Sequence, residues 1–474
     1  MKKNPPKIKA SSFPPPREFK PYASLRIGAA SSALFLFASC QTFESRPLNL
    51  ATHDQKWRAQ NPSSEKVHDF AKRLNEAARS SSSFNPSDGL SLNEGKMIAL
   101  VYNPDLRVAR LKAGVAKATA DHAGVWDDPE LSLDVLKITK GVPDPWIVGS
   151  SLSLTLPLSG RLQAEKGRAK AAKYAELDRV AETEWKVTTD LQKAWISWSA
   201  QHSQLEQTEK IVEALGSIVK STQVLVKQGE IPKTEAALFL IEETSHRAEL
   251  ARLKGEMEAE EQEIRTLLGI SPNAPIQLVP TLTMPTWQPS EERLANHNPT
   301  LNRLRREYEV SEHTLLREIR KQYPDLTIGP QAESDQGQSR IGFIGAIPLP
   351  IWNANKGGIA AALTEREVAQ AAFETEYERK VGQLAVLRAR LSAMRSQRSS
   401  IEKNLIPMVD RQVADAEKLV QLGEGGSLVL LESLVRAHEA KLKIITIQLQ
   451  YSQAEIDIQS LLGPTNFKSN SKKD

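Results

Sequence analysis

The sequence predicts a mainly α-helical protein that is internally duplicated and carries a membrane β-barrel portion of four strands per chain. Three observations predict it. A stretch of 68 residues, Arg161–Gln228, contains no proline. Landmarks of the first half recur about 194 positions later in the second. Between the helices lie short segments in which apolar and small polar residues alternate.

Bulk composition narrows the function classes. The chain has 474 residues, with Lys+Arg 62 against Asp+Glu 58, so no large basic field invites nucleic acid. The mean hydropathy is −0.40. Past residue 40 no segment supplies the ~20 apolar residues of a spanning helix. Membrane β-strands barely register on such scales, because their two faces alternate.

Residues 1–39 read as an export signal, with Lys2, Lys3, Lys7, Lys9, Arg17, Lys20 and Arg26 before the apolar Ile27–Ala38. Leu36-Phe37-Ala38-Ser39-Cys40 resembles a bacterial lipoprotein cleavage site, which makes Cys40 the lipidated residue; Phe37 stands where Leu is usual. Gln41 after it implies sorting to the outer membrane. The other reading is a plain secretory signal beside an unmodified thiol. Residues 40–91 are rich in Ser, Asn and Pro and read as a tether, with a short helix over Glu65–Ala78.

Repeat 1 covers 92–276 and repeat 2 covers 291–463, joined by a Pro-rich linker at 277–290 and followed by a tail at 464–474. Asn103-Pro104-Asp105-Leu106 recurs as Asn298-Pro299-Thr300-Leu301, and Pro129-Glu130-Leu131 as Pro324-Asp325-Leu326. Pro157-Leu158 returns at Pro348-Leu349, Gly229-Glu230 at Gly423-Glu424, and Leu267-Leu268-Gly269 at Leu461-Leu462-Gly463. So long a period means one duplicated unit, not a solenoid. In each repeat a helix precedes a β-hairpin (129–157 and 324–348). Two long helices follow, 161–228 with 233–268 in repeat 1 and 357–422 with 427–462 in repeat 2. Leu250, Leu253, Met257, Glu260, Ile264 and Leu267 step by three and four, a coiled-coil seam. Ile444, Ile447, Tyr451, Ala454, Ile458 and Leu461 repeat it.

The strands follow from alternation. Ser151–Leu156 sets small polar residues against Leu, and Leu131, Leu133 and Val135 alternate with Ser132 and Asp134. Strands of about ten residues can cross a bilayer when tilted. Four cannot close a barrel, and unpaired backbone groups in hydrocarbon cost several kcal/mol each. Closure therefore needs other copies. A soluble alternative caps a periplasmic coiled coil with a small sandwich, as an adaptor or structural lipoprotein.

Over residues 90–463 the chain resembles the TolC-like outer membrane efflux proteins. The carriers are the Asn-Pro-x-Leu openings, the Pro-started hairpins, the glycine tips and the Leu-Leu-Gly endings. Pro348–Gly357 (PLPIWNANKG) is similar to the heavy-metal efflux branch. The resemblance implies a homotrimer with a 12-stranded barrel in the outer membrane of a Gram-negative bacterium and a periplasmic α-barrel. It also implies outer-membrane lipid around the barrel, a periplasmic adaptor and an inner-membrane pump of the RND type. The activity implied is passive export of small molecules or metal ions, without catalysis, cofactor or bound metal.

In the family the helix tips meet the adaptor and form the gate. Matching residues are Gly229, Glu230, Ile231 and Pro232 in the first tip and Gly423, Glu424, Gly425 and Gly426 in the second, whose other reading is turn chemistry. Glu235 and Glu432 match the family's acids past the tip glycine, so three copies of Glu432 would ring a pore; its other reading is a solvated helix-face glutamate. Val429 stands where repeat 2 would carry the counterpart of Glu235. Val420 and Gly425 replace the aromatic and arginine of the family's closing network, so its lock does not carry over. No metal-protease, phosphate-loop or cysteine-cluster motif occurs. Ser217-x-x-Lys220 lies inside a helical run without partner motifs, and His246 and His438 read as packed or solvated side chains.

Overall fold

The computed structural model describes residues 43–78, 84–141, 143–283, 290–422 and 426–464. The chain divides into two compact units, residues 1–55 and 56–474. Asn49, in the first, starts helix α1 (Leu50–Arg58), whose last three residues belong to the second, by accepting the Thr52 amide on its side chain at 3.0 Å.

The second unit holds both repeats. Helix α2 (Glu65–Ala78) lies in the tether, and repeat 1 then runs α3 (Leu92–Tyr102), α4 (Pro104–Asp121), β1 (Glu130–Lys137), β2 (Trp146–Leu156), α5 (Arg161–Gln228) and α6 (Lys233–Leu268). Repeat 2 runs α7 (Glu291–His297), α8 (Pro299–Arg320), β3 (Leu326–Asp335), β4 (Gln338–Ala346) and α9 (Lys356–Ser400). A π-turn at Ile401–Leu405 leads into α10 (Ile406–Gln421), and α11 (Ser427–Leu462) returns. The sequence predicts one helix across 357–422. The structure interrupts it because Pro407 has no N–H to donate and its ring crowds the preceding turn, which the wider π-turn relieves. Among the described residues no helix is long and apolar enough to cross a membrane.

The repeated motifs have a common physical cause. The Asn103 side chain accepts the amides of Asp105 and Leu106, capping α4, and donates to the Leu267 carbonyl at 2.9 Å. Asn298 accepts the Leu301 amide and donates to the Leu461 carbonyl at 2.8 Å. Pro104 and Pro299 each sit at a first helical position, where a missing N–H costs nothing. A Cβ on Gly269 would lie 2.3 Å from the Tyr102 carbonyl oxygen, and one on Gly463 2.1 Å from that of His297. Thus each Leu-Leu-Gly ending is where a return helix docks against an Asn-Pro opening.

Leu191, Trp195 and Trp198 of α5 pack with Ile264 and Leu268 of α6, under Ile98 of α3 and Val67 of α2. The end of the tether and the start of the linker close this core: Leu90 pairs with Leu278 as a parallel bridge, and Trp195 donates its indole N–H to the Val279 carbonyl at 3.0 Å. Leu384 and Leu391 of α9 meet Tyr451, Ala454 and Ile458 of α11 in the matching position of repeat 2.

One antiparallel sheet, ordered β1-β2-β3-β4, joins the repeats through β2 and β3. Cross-strand partners share a face. Leu131, Leu133 and Val135 stand opposite Leu152, Ser150 and Val148. Pro330 and Ala332 stand opposite Phe343 and Ile341 on that same, largely apolar face. The other face carries Ser132, Asp134, Ser151, Ser153, Thr155, Thr327, Gln331, Glu333 and Arg340. A Cβ on Gly329 would fall 1.9 Å from the Leu152 carbonyl oxygen, so the crossing of β2 and β3 requires glycine.

Candidate channel wall and helix tips

The sheet is amphipathic and incomplete. Its apolar face is open, with Ile341 87% and Phe343 86% exposed. On the polar face Thr155 and Thr327 hydrogen-bond at 3.0 Å, and Arg340 pairs with Asp335 at 2.9 Å. Among the described residues strands β1 and β4 each have one partner only, leaving an outer edge unpaired. Below the sheet, Arg161 at the start of α5 bridges Asp325 and Asp127, each at 2.6 Å, and holds the helices against the strands. Burial would raise the Asp325 carboxyl, but its hydrogen bonds from Arg161 and Ser159 outweigh that and hold it below the usual range.

At the opposite end, α5 stops in a glycine cap. Gly229 takes φ +78°, its amide bonds the Val226 carbonyl and the Glu230 amide that of Leu225. Pro232, extended at φ −65°, then caps α6 through its carbonyl, which accepts the Glu235 amide. Gly229, Glu230 and Pro232 are exposed and Ile231 is half-buried. Cys40 and the residues Gly423, Glu424 and Gly425 lie outside the described residues, whereas Gly426 stands at the N-terminus of α11.

Glu235 is not a free acid: the Ser427 hydroxyl donates to its carboxylate, linking the first turns of α6 and α11. Just above, Phe239 is fully buried against Ile211, Leu215, Val219 and Leu431, so three helices meet there. Glu432 is exposed and accepts from Arg436 at 2.7 Å, one turn along the same helix; Arg436 also pairs with Glu439 at 3.2 Å.

Sequence reasoning missed Ser427, whose hydroxyl has no motif, and the meeting of His246 with His438. Their rings pack edge to face at 4.9 Å, and both Nε2 atoms are buried without a hydrogen-bond partner. Burial lowers the His438 pKa to about 4. The separation of the pair along the chain, close to the repeat period, was the available signal. Ser217 gives its hydroxyl to the Glu213 carbonyl at 3.1 Å, an ordinary helix-surface bond. Among the described residues no group of three or more His, Cys, Asp or Glu is arranged to hold a metal ion.

Residues 97–270 match the family described as outer membrane efflux protein. The match takes in most of the first repeat. The cobalt-zinc-cadmium resistance protein CzcC of Cupriavidus metallidurans is 23% identical over 243 residues, which cover 50% of this chain and 58% of that protein. The solved outer membrane protein VceC of Vibrio cholerae superposes with a TM-score of 0.67 at 16% identity, covering 78% of this chain and 96% of its own. The CmeC outer membrane channel of Campylobacter jejuni gives 0.67 at 14% identity, over 90% and 94%. The fold shared with these solved structures therefore extends well beyond the first repeat, although the match to CzcC spans little more than half of that relative.

Proposed function

We propose that the chain is the outer-membrane channel of an efflux assembly, with three copies forming a passive duct. The observation that carries this reading is the four-stranded sheet with one apolar face, one polar face and two unpaired edges. Three such sheets give 12 strands, enough to leave a water-filled lumen, with the polar face inward and Ile341, Phe343 and Leu133 toward lipid. A hydrocarbon environment accepts that apolar face and rejects open edges, so membrane insertion and closure by copies go together.

The long hairpins then continue the duct into the periplasm. Their tips, Gly229–Pro232 and Gly423–Gly426, are the proposed adaptor contact, with an inner-membrane pump of the RND type supplying cargo. Glu235 and Glu432 are proposed to line the tip entrance. Glu235 holds α11 beside α6 through Ser427, a link that must break if the second hairpin swings away. Glu432 carries its own counter-ion, so three copies would form a ring of Glu–Arg pairs with much of their charge offset. Lipidation at Cys40 would add an anchor in the outer membrane. Metal cations are the proposed cargo, supported by the Pro348–Gly357 segment and by the partial likeness to CzcC.

Reconstitution of the full-length protein in a planar lipid bilayer tests this reading. Discrete ion-conducting steps are expected, with cation selectivity little changed by Glu432→Gln because Arg436 already offsets the charge. A protein that is extracted from membranes by salt alone and conducts nothing would remove it.

A further inference from the structure

The second hairpin is broken at one level, and the break coincides with the histidine contact. At Ile401–Leu405 regular helical bonding gives way: the Ile406 amide reaches back five residues to the Ile401 carbonyl, and Pro407 has no N–H to offer. A helix bends where its ladder is interrupted in this way. Just past the break, Val409 of α10 packs with Ala437 and Ala440 of α11, and Asp410 pairs with Lys441 at 3.5 Å. His438 lies between those two alanines, so the break and the His246–His438 contact share a level. The second hairpin is held differently on its two sides. Toward the sheet, α11 is tied to α5 by Lys193–Asp457 at 2.5 Å, by the Trp185 indole on the Ser460 carbonyl at 3.0 Å and by Gln453 on the Ser197 hydroxyl at 3.3 Å. Toward the tip it is held by Leu431, packed in the Phe239 cluster, and by the Ser427–Glu235 bond.

The two histidines are set for a change of charge. Their buried Nε2 atoms lack hydrogen-bond partners, so a proton gained at His438 Nε2 finds no acceptor while the rings are packed. The charged neighbours do not reverse this. On α6, Glu242 lies 3.9 Å from His246 Nε2, Glu243 is taken up by Arg247 at 2.7 Å, and Glu249 favours a charged His438. On α11, Lys441 disfavours it, with Asp410 of α10 as its counter-ion, while Glu439 pairs with Arg436. Glu402 and Lys403 of the π-turn are exposed. On α5, Gln204 meets Thr446 and Leu215 shares a cluster with Leu431; the buried residues between are Leu205, Thr208 and Ile211, all uncharged. Burial dominates, and His438 is neutral in the packed state, with its pKa at about 4. Once the hairpins part, the ring meets water and returns to the ordinary value of 6.5.

We propose that His246 and His438 form an acid-released latch between the two hairpins, with the π-turn as the hinge about which the tip half of the second hairpin swings. The parted state takes up a proton that the packed state refuses, so acid draws the equilibrium toward opening. Loss of the whole difference between about 4 and 6.5 multiplies the open-to-closed ratio by up to roughly thirtyfold between pH 7.5 and pH 5. The inference rests on the channel reading and adds the stimulus and the pivot of its opening.

Ser433, buried on α11 between Leu431 and His438, reports the parting. In the full-length protein in detergent, Ser433→Cys is labelled with a water-soluble maleimide and read on the peptide carrying residue 433, so that Cys40 does not contribute. Dividing its rate by that of Ser433→Cys with His438→Phe at the same pH cancels the ionisation of the thiol. This ratio should rise by up to roughly thirtyfold from pH 7.5 to pH 5. Open time in a planar bilayer should rise with it only where His438 is present. Pro407→Ala, which restores a backbone donor, should lower both responses at pH 5 several-fold. A flat ratio in a protein that conducts would overturn the latch while leaving the channel reading in place, and an unchanged response in Pro407→Ala would overturn the hinge. Absence of conductance at every pH would overturn the channel reading and this proposal with it.

Discussion

The side-chain amide of Asn103 donates to the Leu267 carbonyl at 2.9 Å, fastening the start of α4 to the end of α6. Its side-chain oxygen meanwhile accepts the first amides of α4, so one side chain ends one helix and begins another. Asn103→Ala should therefore cost about 1–3 kcal/mol, the sum of a lost cap and a buried carbonyl left without its donor. Asn298→Ala should cost a similar amount through Leu461. Chemical unfolding of each variant checks the pair, and an effect at one site only would break the equivalence of the repeats.

Gly329 is the tightest point of the sheet. With a methyl group forced to 1.9 Å from the Leu152 carbonyl oxygen, Gly329→Ala should displace β3 from β2 and destabilise by roughly 3 kcal/mol. Gly342→Ala meets nothing within 4 Å and should be nearly neutral. Heat-resistance of the folded protein in detergent separates the two variants.

The His246–His438 contact makes the hairpins sensitive to acid. His438 is held neutral, with its pKa lowered from 6.5 to about 4 by burial first and His246 second, while Glu249 opposes and Lys441 adds to the lowering. Between pH 4 and 6.5 the separated or unfolded form binds more protons than the packed form, so stability falls as pH drops through that window and levels off below it. His438→Phe keeps an aromatic contact and should flatten this slope. Thermal unfolding at pH 7.5, 5.5 and 4.5 in the two proteins reads the difference directly.

At the tips, Ser427→Ala or Glu235→Ala removes the bond between α6 and α11. A hydrogen bond to a charged group contributes up to about 1.5–3 kcal/mol, less at a partly solvated site, so the open population should rise by up to roughly tenfold. Single-channel recording tests this as open time, with unchanged gating counting against Glu235 as part of the closure.

Much of the architecture was legible in the sequence because its physical demands are local. Proline-free runs set the long helices, and alternation set the strands, since a sheet with one apolar and one polar face must segregate Leu131, Leu133 and Val135 from Ser132 and Asp134. The landmarks spaced by about 194 residues revealed the duplication because the Asn-Pro openings and Leu-Leu-Gly endings perform docking that both halves need. What escaped depends on two hairpins meeting. His246 and His438 touch only once α6 and α11 are in register, and Ser427 finds Glu235 through a hydroxyl that no pattern marks. Glu432 reads from the sequence as a ring acid or a solvated helix-face glutamate, and its partner Arg436 lies four residues along the same helix. The π-turn had a visible cause in Pro407, whose consequence depends on how the helix around it packs.

The account turns on whether strands β1 and β4 find partners on other copies. Native mass spectrometry of the protein released gently from membranes in detergent tests this most directly. A mass equal to three chains, surviving until the sheet is denatured, is the result expected. A folded species with the mass of one chain would contradict it.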